Sequence, residues 1–245
     1  MKKIIAIALS AVILAAVFSG CSKPEKDTTD TQKTSSTVMQ TVLNTAEYTL
    51  YQNIFYNDTK ADYNGKNASK EGVFTSIYDA YNSRERYYVW GYNDQTKCCD
   101  WQWELNITDT KKLPIKGSLV KVEGVYEVSD AALDGLWIIN PEISVKSEYA
   151  GNGFDVDMKT MSNTLERVQA YNIVNFPDVF EGKSVCGYGR ILDASTLEDA
   201  YYDNSWTIGI SGDYEVPAFG TLIEIEGKIN NGEITQCNIS ENTIY

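Results

Sequence analysis

Apolar positions along this chain follow two rhythms. In "SLVKVEGVY" the residues Val120, Val122, Gly124 and Tyr126 share one side of an extended backbone, and in "TLIEIEGKI" Ile223, Ile225, Gly227 and Ile229 do the same, with charged residues opposite. Alternation of period two predicts half-buried strands. A glycine at the same point of both predicts a bend or a close backbone approach, as where a small barrel coils. A helical rhythm occurs in Val38, Val42, Ala46 and Leu50, and again in Met161, Leu165 and Val168 ahead of Tyr171 and Asn172. Each predicts a short helix before a block of strands, with Thr160 or Ser162 capping the second. "LDG" at Leu133 and "NNG" at Asn230 predict hairpin turns into a final strand.

The pattern repeats. Shifted by 103 positions, Trp103 to Tyr126 lies without a gap on Trp206 to Ile229, with Trp, Pro, Gly, Leu, Glu and Gly coinciding. Upstream, "IYDAYNSRERYY" from Ile77 matches "ILDASTLEDAYY" from Ile191 at an offset of 114, so the first copy holds about eleven extra residues that include Cys98 and Cys99. "YNGK" at Tyr63 and "FEGK" at Phe180 match earlier still. About five strands fall in each copy, which predicts a mainly β protein of two small Greek-key barrels in tandem.

This layout resembles the OB-fold: a long curved first strand, a hairpin, a "P-x-x-G" turn (Pro114 to Gly117, Pro217 to Gly220) into a strand ending near Glu-Gly, and a short last strand. The stretch from 38 to 245 looks like the tandem OB-like lipoproteins of bacteria, most of them without an assigned role. In that family a first module can carry a Cys-Cys pair followed by an aromatic and an acid, here Cys98, Cys99, Trp101, Trp103 and Glu104. The second copy lacks the pair and has Tyr201 and Tyr202 nearest to it.

The N-terminus adds an address. Lys2 and Lys3 precede an apolar run from Ile4 to Phe18, and "FSGC" resembles the lipobox of bacterial lipoproteins, whose cysteine is diacylated before cleavage on its N-terminal side. The expectation is a signal peptide over 1–20, an acylated Cys21, and a polar tether over 21–37 that extends to roughly 50 Å. Two modules, 38–150 and 151–245, then stand at the extracytoplasmic face of a membrane. A chain starting at Cys21 has 19 basic and 34 acidic residues, net -15. Such a body is repelled by anionic headgroups, so the lipid must do the anchoring. The same balance argues against a nucleic-acid partner, which would need Lys and Arg on the phosphates.

Four cysteines remain after Cys21. Cys186 and Cys237, on the first and last strands of the second copy, are a possible disulfide. Cys98 and Cys99 cannot both point inward on a regular strand; they need a bulge, a local bridge or separate fates, and are the candidate thiol site. With no histidine in the chain, a closed zinc site is disfavoured, and no metal or other cofactor is expected. Tyr87, Tyr88, Trp90, Tyr92, Trp101 and Trp103 crowd into a short stretch. They are either the filling of a small barrel or, if alternate members face out, a platform for peptide or sugar, with Trp90, Tyr92, Trp101, Trp103 and Glu104 as candidate binding residues. Acidic stretches at Asp155 to Met158, Leu197 to Asp203 and Gly212 to Glu215 lack a calcium-loop pattern and read as solvated loops. Enzyme motifs are missing; Asp100 or Glu104 beside Trp101 are the residual candidates for a carboxylate pair. Two expectations result. One is a non-catalytic binding or adaptor protein for a protein, peptide or envelope glycan; the other is a thiol-dependent envelope protein, redox or metal-linked, working through Cys98 and Cys99.

Overall fold

A computed structural model describes residues 39–200 and 205–242. The expected signal peptide, Cys21, the tether, Val38, and Tyr201 and Tyr202 lie outside the described residues. Two short helices, α1 (Thr45–Phe55) and α2 (Lys60–Tyr63), precede five strands: β1 (Asn67–Asp79), β2 (Arg84–Tyr92), β3 (Asp100–Asn106), β4 (Leu119–Val128) and β5 (Leu136–Ser147). The helix predicted from Val38 starts later. Val42 and Leu43 run extended beside Tyr92, and the Asn44 side chain then accepts a hydrogen bond from the Glu47 backbone at 3.0 Å to open α1.

These five strands close into a barrel in the order β1-β2-β3-β5-β4. The closing step is parallel, with Glu104, Leu105 and Asn106 opposite Trp137, Ile138 and Ile139. Phe74, Val89, Trp101, Trp103, Val122 and Ile138 fill the interior, and Ile54 of α1 plugs one end.

The chain continues through β6 (Val156–Asp157), a 3-10 turn at Met158–Thr160, α3 (Asn163–Asn175) and α4 (Pro177–Phe180) to β7 (Ser184–Asp193), β8 (Thr196–Glu198), β9 (Thr207–Gly209), β10 (Leu222–Asn230) and β11 (Glu233–Glu241). A helix forms at the predicted place but starts at Asn163, taking in Leu165, Val168, Tyr171 and Asn172 and leaving Met161 extended before it; Ser162 caps it, accepting from the Leu165 backbone at 3.3 Å.

The expectation of two barrels is corrected here, because the second sheet is open. Its order β11-β10-β7-β8-β9, with β6 added beside β7, follows the barrel's order, but among the described residues a single parallel bridge, Ile210 to Ile234, joins its ends. β8 and β9 have three residues each, against nine and seven in β2 and β3, so they are too short to carry a closing ladder. The sheet gains its missing wall elsewhere. One apolar cluster joins its inner residues (Val185, Ile191, Ile223, Ile225) to Leu165, Ala170 and Ile173 of α3 and to Val73, Ile77, Tyr88, Trp90 and Tyr92 on the barrel. β1 is therefore buried on both faces from Gly72 to Ile77.

The paired glycines have a common cause. Register slips at Gly124 in the β4–β5 pair and at Gly227 in the β10–β11 pair. A Cβ at Gly124 would lie 2.6 Å from Ile138 and 2.7 Å from the Ile139 carbonyl, and one at Gly227 would lie 2.6 Å from Ile234 and 2.8 Å from the Thr235 carbonyl. Both strands bend there against the partner backbone, which only a residue without a side chain permits. The "NNG" turn forms as predicted, with Asn231 and Gly232 both at positive φ between β10 and β11.

Candidate functional site

Hydrogen bonding and burial place the sequence-predicted residues in three surroundings. Trp101 and Trp103 point into the barrel, 0% and 1% exposed, where Trp103 meets the rings of Tyr51, Phe55 and Tyr126. Trp90 and Tyr92 point the other way, into the seam with α3. The Trp90 indole donates to the Thr160 carbonyl at 2.9 Å, and the Tyr92 hydroxyl is 3.2 Å from the Asn163 side-chain oxygen. An outward-facing platform is thus not what these rings form. Alternation along β2 and β3 supplies two buried faces, because both sides of the barrel wall are covered.

Glu104 is 7% exposed and belongs to a buried ion cluster. Arg86 donates to Glu104 and to Asp79, each at 2.6 Å, and to the Ala131 carbonyl at 3.0 Å; the second Glu104 oxygen accepts from the Leu133 backbone at 2.6 Å. Burial pushes the Glu104 carboxyl up, against the pull of Leu133 and Arg86. Burial also works to raise Asp79, but hydrogen bonds from Asn82 and Arg86 outweigh it and hold that carboxyl low. Asp100 is occupied as well: its two oxygens accept from the Thr164 backbone (2.7 Å) and hydroxyl (2.9 Å), capping the first turn of α3. Neither candidate carboxylate faces a substrate cleft.

The double cysteine lies in the hairpin between β2 and β3, just before β3 begins. The Asn93 N–H to Cys99 carbonyl bond, 2.8 Å, closes this loop, and the Asp94 carboxylate accepts from the backbone (2.9 Å) and hydroxyl (2.6 Å) of Thr96. Lys97 takes the left-handed conformation, φ 55°. Cys98 is exposed and Cys99 half-buried, their sulfurs 3.3 Å apart. The Thr96 hydroxyl is 3.2 Å from the Cys98 sulfur, and the Tyr48 hydroxyl of α1 rests on Cys99. Both flanks are tied to α3, the Lys97 carbonyl by the Asn163 amide at 2.9 Å and Asp100 as above. The Tyr48 hydrogen bond pulls the Cys99 thiol down, but burial and the adjacent Cys98 sulfur outweigh it and leave it raised.

Cys186 and Cys237 are buried, unbridged thiols. Cys186 pairs across the sheet with Glu226, and Glu226 with Asn238, so these three share a face; Cys237 follows in the opposite orientation, into the core. Cys186 instead bonds Asp157 at 3.2 Å, and Cys237 bonds the Ile234 carbonyl at 3.0 Å. Burial, helped by Asp157, pushes the Cys186 thiol well up. The possible disulfide is therefore not formed. Among the described residues no group of three or more Cys, Asp and Glu side chains is arranged to hold a metal ion.

Sequence reasoning missed a cavity of about 450 Å3 between α3 and β9, lined by Val168, Tyr171, Val174, Trp206 and Thr207, with Arg167 at its border. Tyr171 and Val174 are 60% and 42% exposed. The signal was available, since Val168, Tyr171 and Val174 recur every three residues and so drift off the face set by Leu165 and Ile173. Also missed was Glu166 of α3, 5% exposed, one of whose oxygens has no hydrogen-bond partner; burial, reinforced by Asp199, pushes its carboxyl well up.

No protein-family model matches this chain, and no curated protein matches it at a significant level.

Proposed function

We propose that this protein is a non-catalytic binding or adaptor module, tethered through an acylated Cys21 at the extracytoplasmic face of a membrane, and that it receives an apolar segment of a protein or peptide partner in the groove between α3 and β9. The groove carries this reading. Its volume falls in the range of ligand sites, and its lining is an aliphatic and aromatic strip with one indole at the base. A sugar would want more polar lining than Asn175, Ser205 and Thr207 supply, so an apolar side chain fits better. β9 ends the open sheet beside this groove, and an unpaired strand edge is a usual place for an incoming peptide to lie. The shared strand order of the barrel and the sheet, the 103-residue step between the starts of β4 and β10, and the twin bulges support the reading of a duplicated OB-like unit.

The test uses the full chain in detergent, recovered from the envelope fraction, where mass spectrometry is expected to find it starting at an acylated Cys21. Against envelope extract, Val174→Asp should reduce capture of the partner by about tenfold or more relative to the unaltered chain, because one desolvated charge costs that much at an apolar contact. Equal capture by both would remove the groove from consideration.

A second reading rests on a separate observation. The free sulfurs of exposed Cys98 and half-buried Cys99, 3.3 Å apart on an anchored loop, support a thiol-dependent protein.

A further inference from the structure

The double cysteine presents two free thiols in contact, their sulfurs 3.3 Å apart. A disulfide has its sulfurs at about 2.0 Å, so at 3.3 Å the pair stands reduced, in a loop whose two flanks are tied to α3. A tetrahedral zinc ion, with bonds of about 2.3 Å, would spread its two sulfurs to roughly 3.8 Å and would require two further ligands. No such ligand set exists among the described residues. Two bonds of about 2.3 Å set near a right angle span roughly 3.3 Å, and that is the geometry of a three-coordinate, pyramidal thiophilic centre. Such a centre takes two sulfurs and keeps one oxygen.

From this we infer that Cys98 and Cys99 form a chelating site for trivalent thiophilic oxyacids of the arsenite class. The inference rests on the thiol reading given above and names its ligand. The reaction is a condensation. Each S–H proton leaves with one hydroxyl of the oxyacid as water, two element–oxygen bonds break, two element–sulfur bonds form, and no atom changes oxidation state. It therefore needs neither oxidant nor reductant, and it proceeds from protonated thiols, the form in which Cys99 is held. The loop is built beforehand for this. Cys98 is open to solvent, the Thr96 hydroxyl stands 3.2 Å from its sulfur, and the Tyr48 hydroxyl stands at the other. These two hydroxyls are placed to hydrogen-bond the oxygen that remains on the bound centre. Cys186 and Cys237 offer no second site, since they are buried on opposite faces of a sheet.

The decisive measurement is native mass spectrometry of the reduced full chain with phenylarsine oxide. One adduct is expected, heavier by the reagent less one water, released by a dithiol and not by a monothiol. Cys98→Ser and Cys99→Ser should each weaken it by about 100-fold or more, since either leaves a single-point attachment. Cys186→Ala and Cys237→Ala should leave it unchanged. No adduct on the reduced chain, or an adduct that persists in Cys98→Ser, would overturn the assignment. Exposure to oxidised glutathione separates the two levels of the argument. If an internal Cys98–Cys99 disulfide forms but the arsenical is refused, the chelate falls and the thiol reading stands; if the chain takes neither, both fall.

Discussion

The barrel and the open sheet use the same strand order and reach stability by different routes. The barrel closes on itself through a parallel ladder and encloses two tryptophans, while the sheet leaves its ends joined by one bridge and borrows α3 and the barrel's outer wall. Buried charge follows the same division. In the barrel interior Lys70, 4% exposed, pairs with Glu47 over the rings of Trp103 and Tyr126, and on the barrel's outer wall Arg86 satisfies Asp79 and Glu104 together. Beside the sheet Glu166 sits next to another carboxylate, Asp199, with an oxygen left unbonded. A closed barrel determines its own interior. An open sheet depends on what lies against it, and retains grooves and unfavourable groups that closure would exclude.

Three measurements bear on that contrast. The largest effect is expected from tryptophans at matched positions. Trp103→Ala empties the barrel and should cost about 4 kcal/mol, whereas Trp206→Ala, at the wall of an existing groove, should cost about 2 kcal/mol, both read from urea unfolding. Equal losses would mean the sheet is as tightly specified as the barrel. Next, Arg86→Met leaves Asp79 and Glu104 buried without their cation and should cost about 3 kcal/mol. A neutral result would show that water reaches the cluster. The smallest effect has the opposite sign. Glu166→Gln should stabilise the protein at pH 7, because burial and Asp199 raise the native carboxyl above its unfolded value of about 4.3. Native stability from this group is present in acid and is lost as pH rises through and above that value, so the benefit of Gln should vanish below about pH 4. A benefit independent of pH would point to packing instead of ionisation.

Much of the architecture was legible in the sequence, for reasons that can be named. Val120 to Tyr126 and Ile223 to Ile229 alternate because one side of each strand is wet, and Gly124 and Gly227 announce bulges because no side chain fits against the facing carbonyl. Closure was not legible. It depends on the lengths of β8 and β9, and the second Trp block looks alike in sequence whether three residues or seven pair. The crowded aromatics misled because alternation distinguishes two faces of a strand without saying that both are covered; Trp90 and Trp101 are buried on opposite sides of one wall. Asp100 and Lys97 gave no local hint either, since their partners, Thr164 and Asn163, lie more than sixty residues away.

The shared wall at β1 has a consequence for how this chain is divided. Residues near 150 mark a change of topology, but the surface exposed by cutting there would be the apolar outer side of one half and the apolar inner side of the other. Inheritance of the two halves is thereby coupled: a substitution at Ile77 or Trp90 alters the same apolar cluster that holds Ile173 and Ile225, so neither half is free to drift without the other.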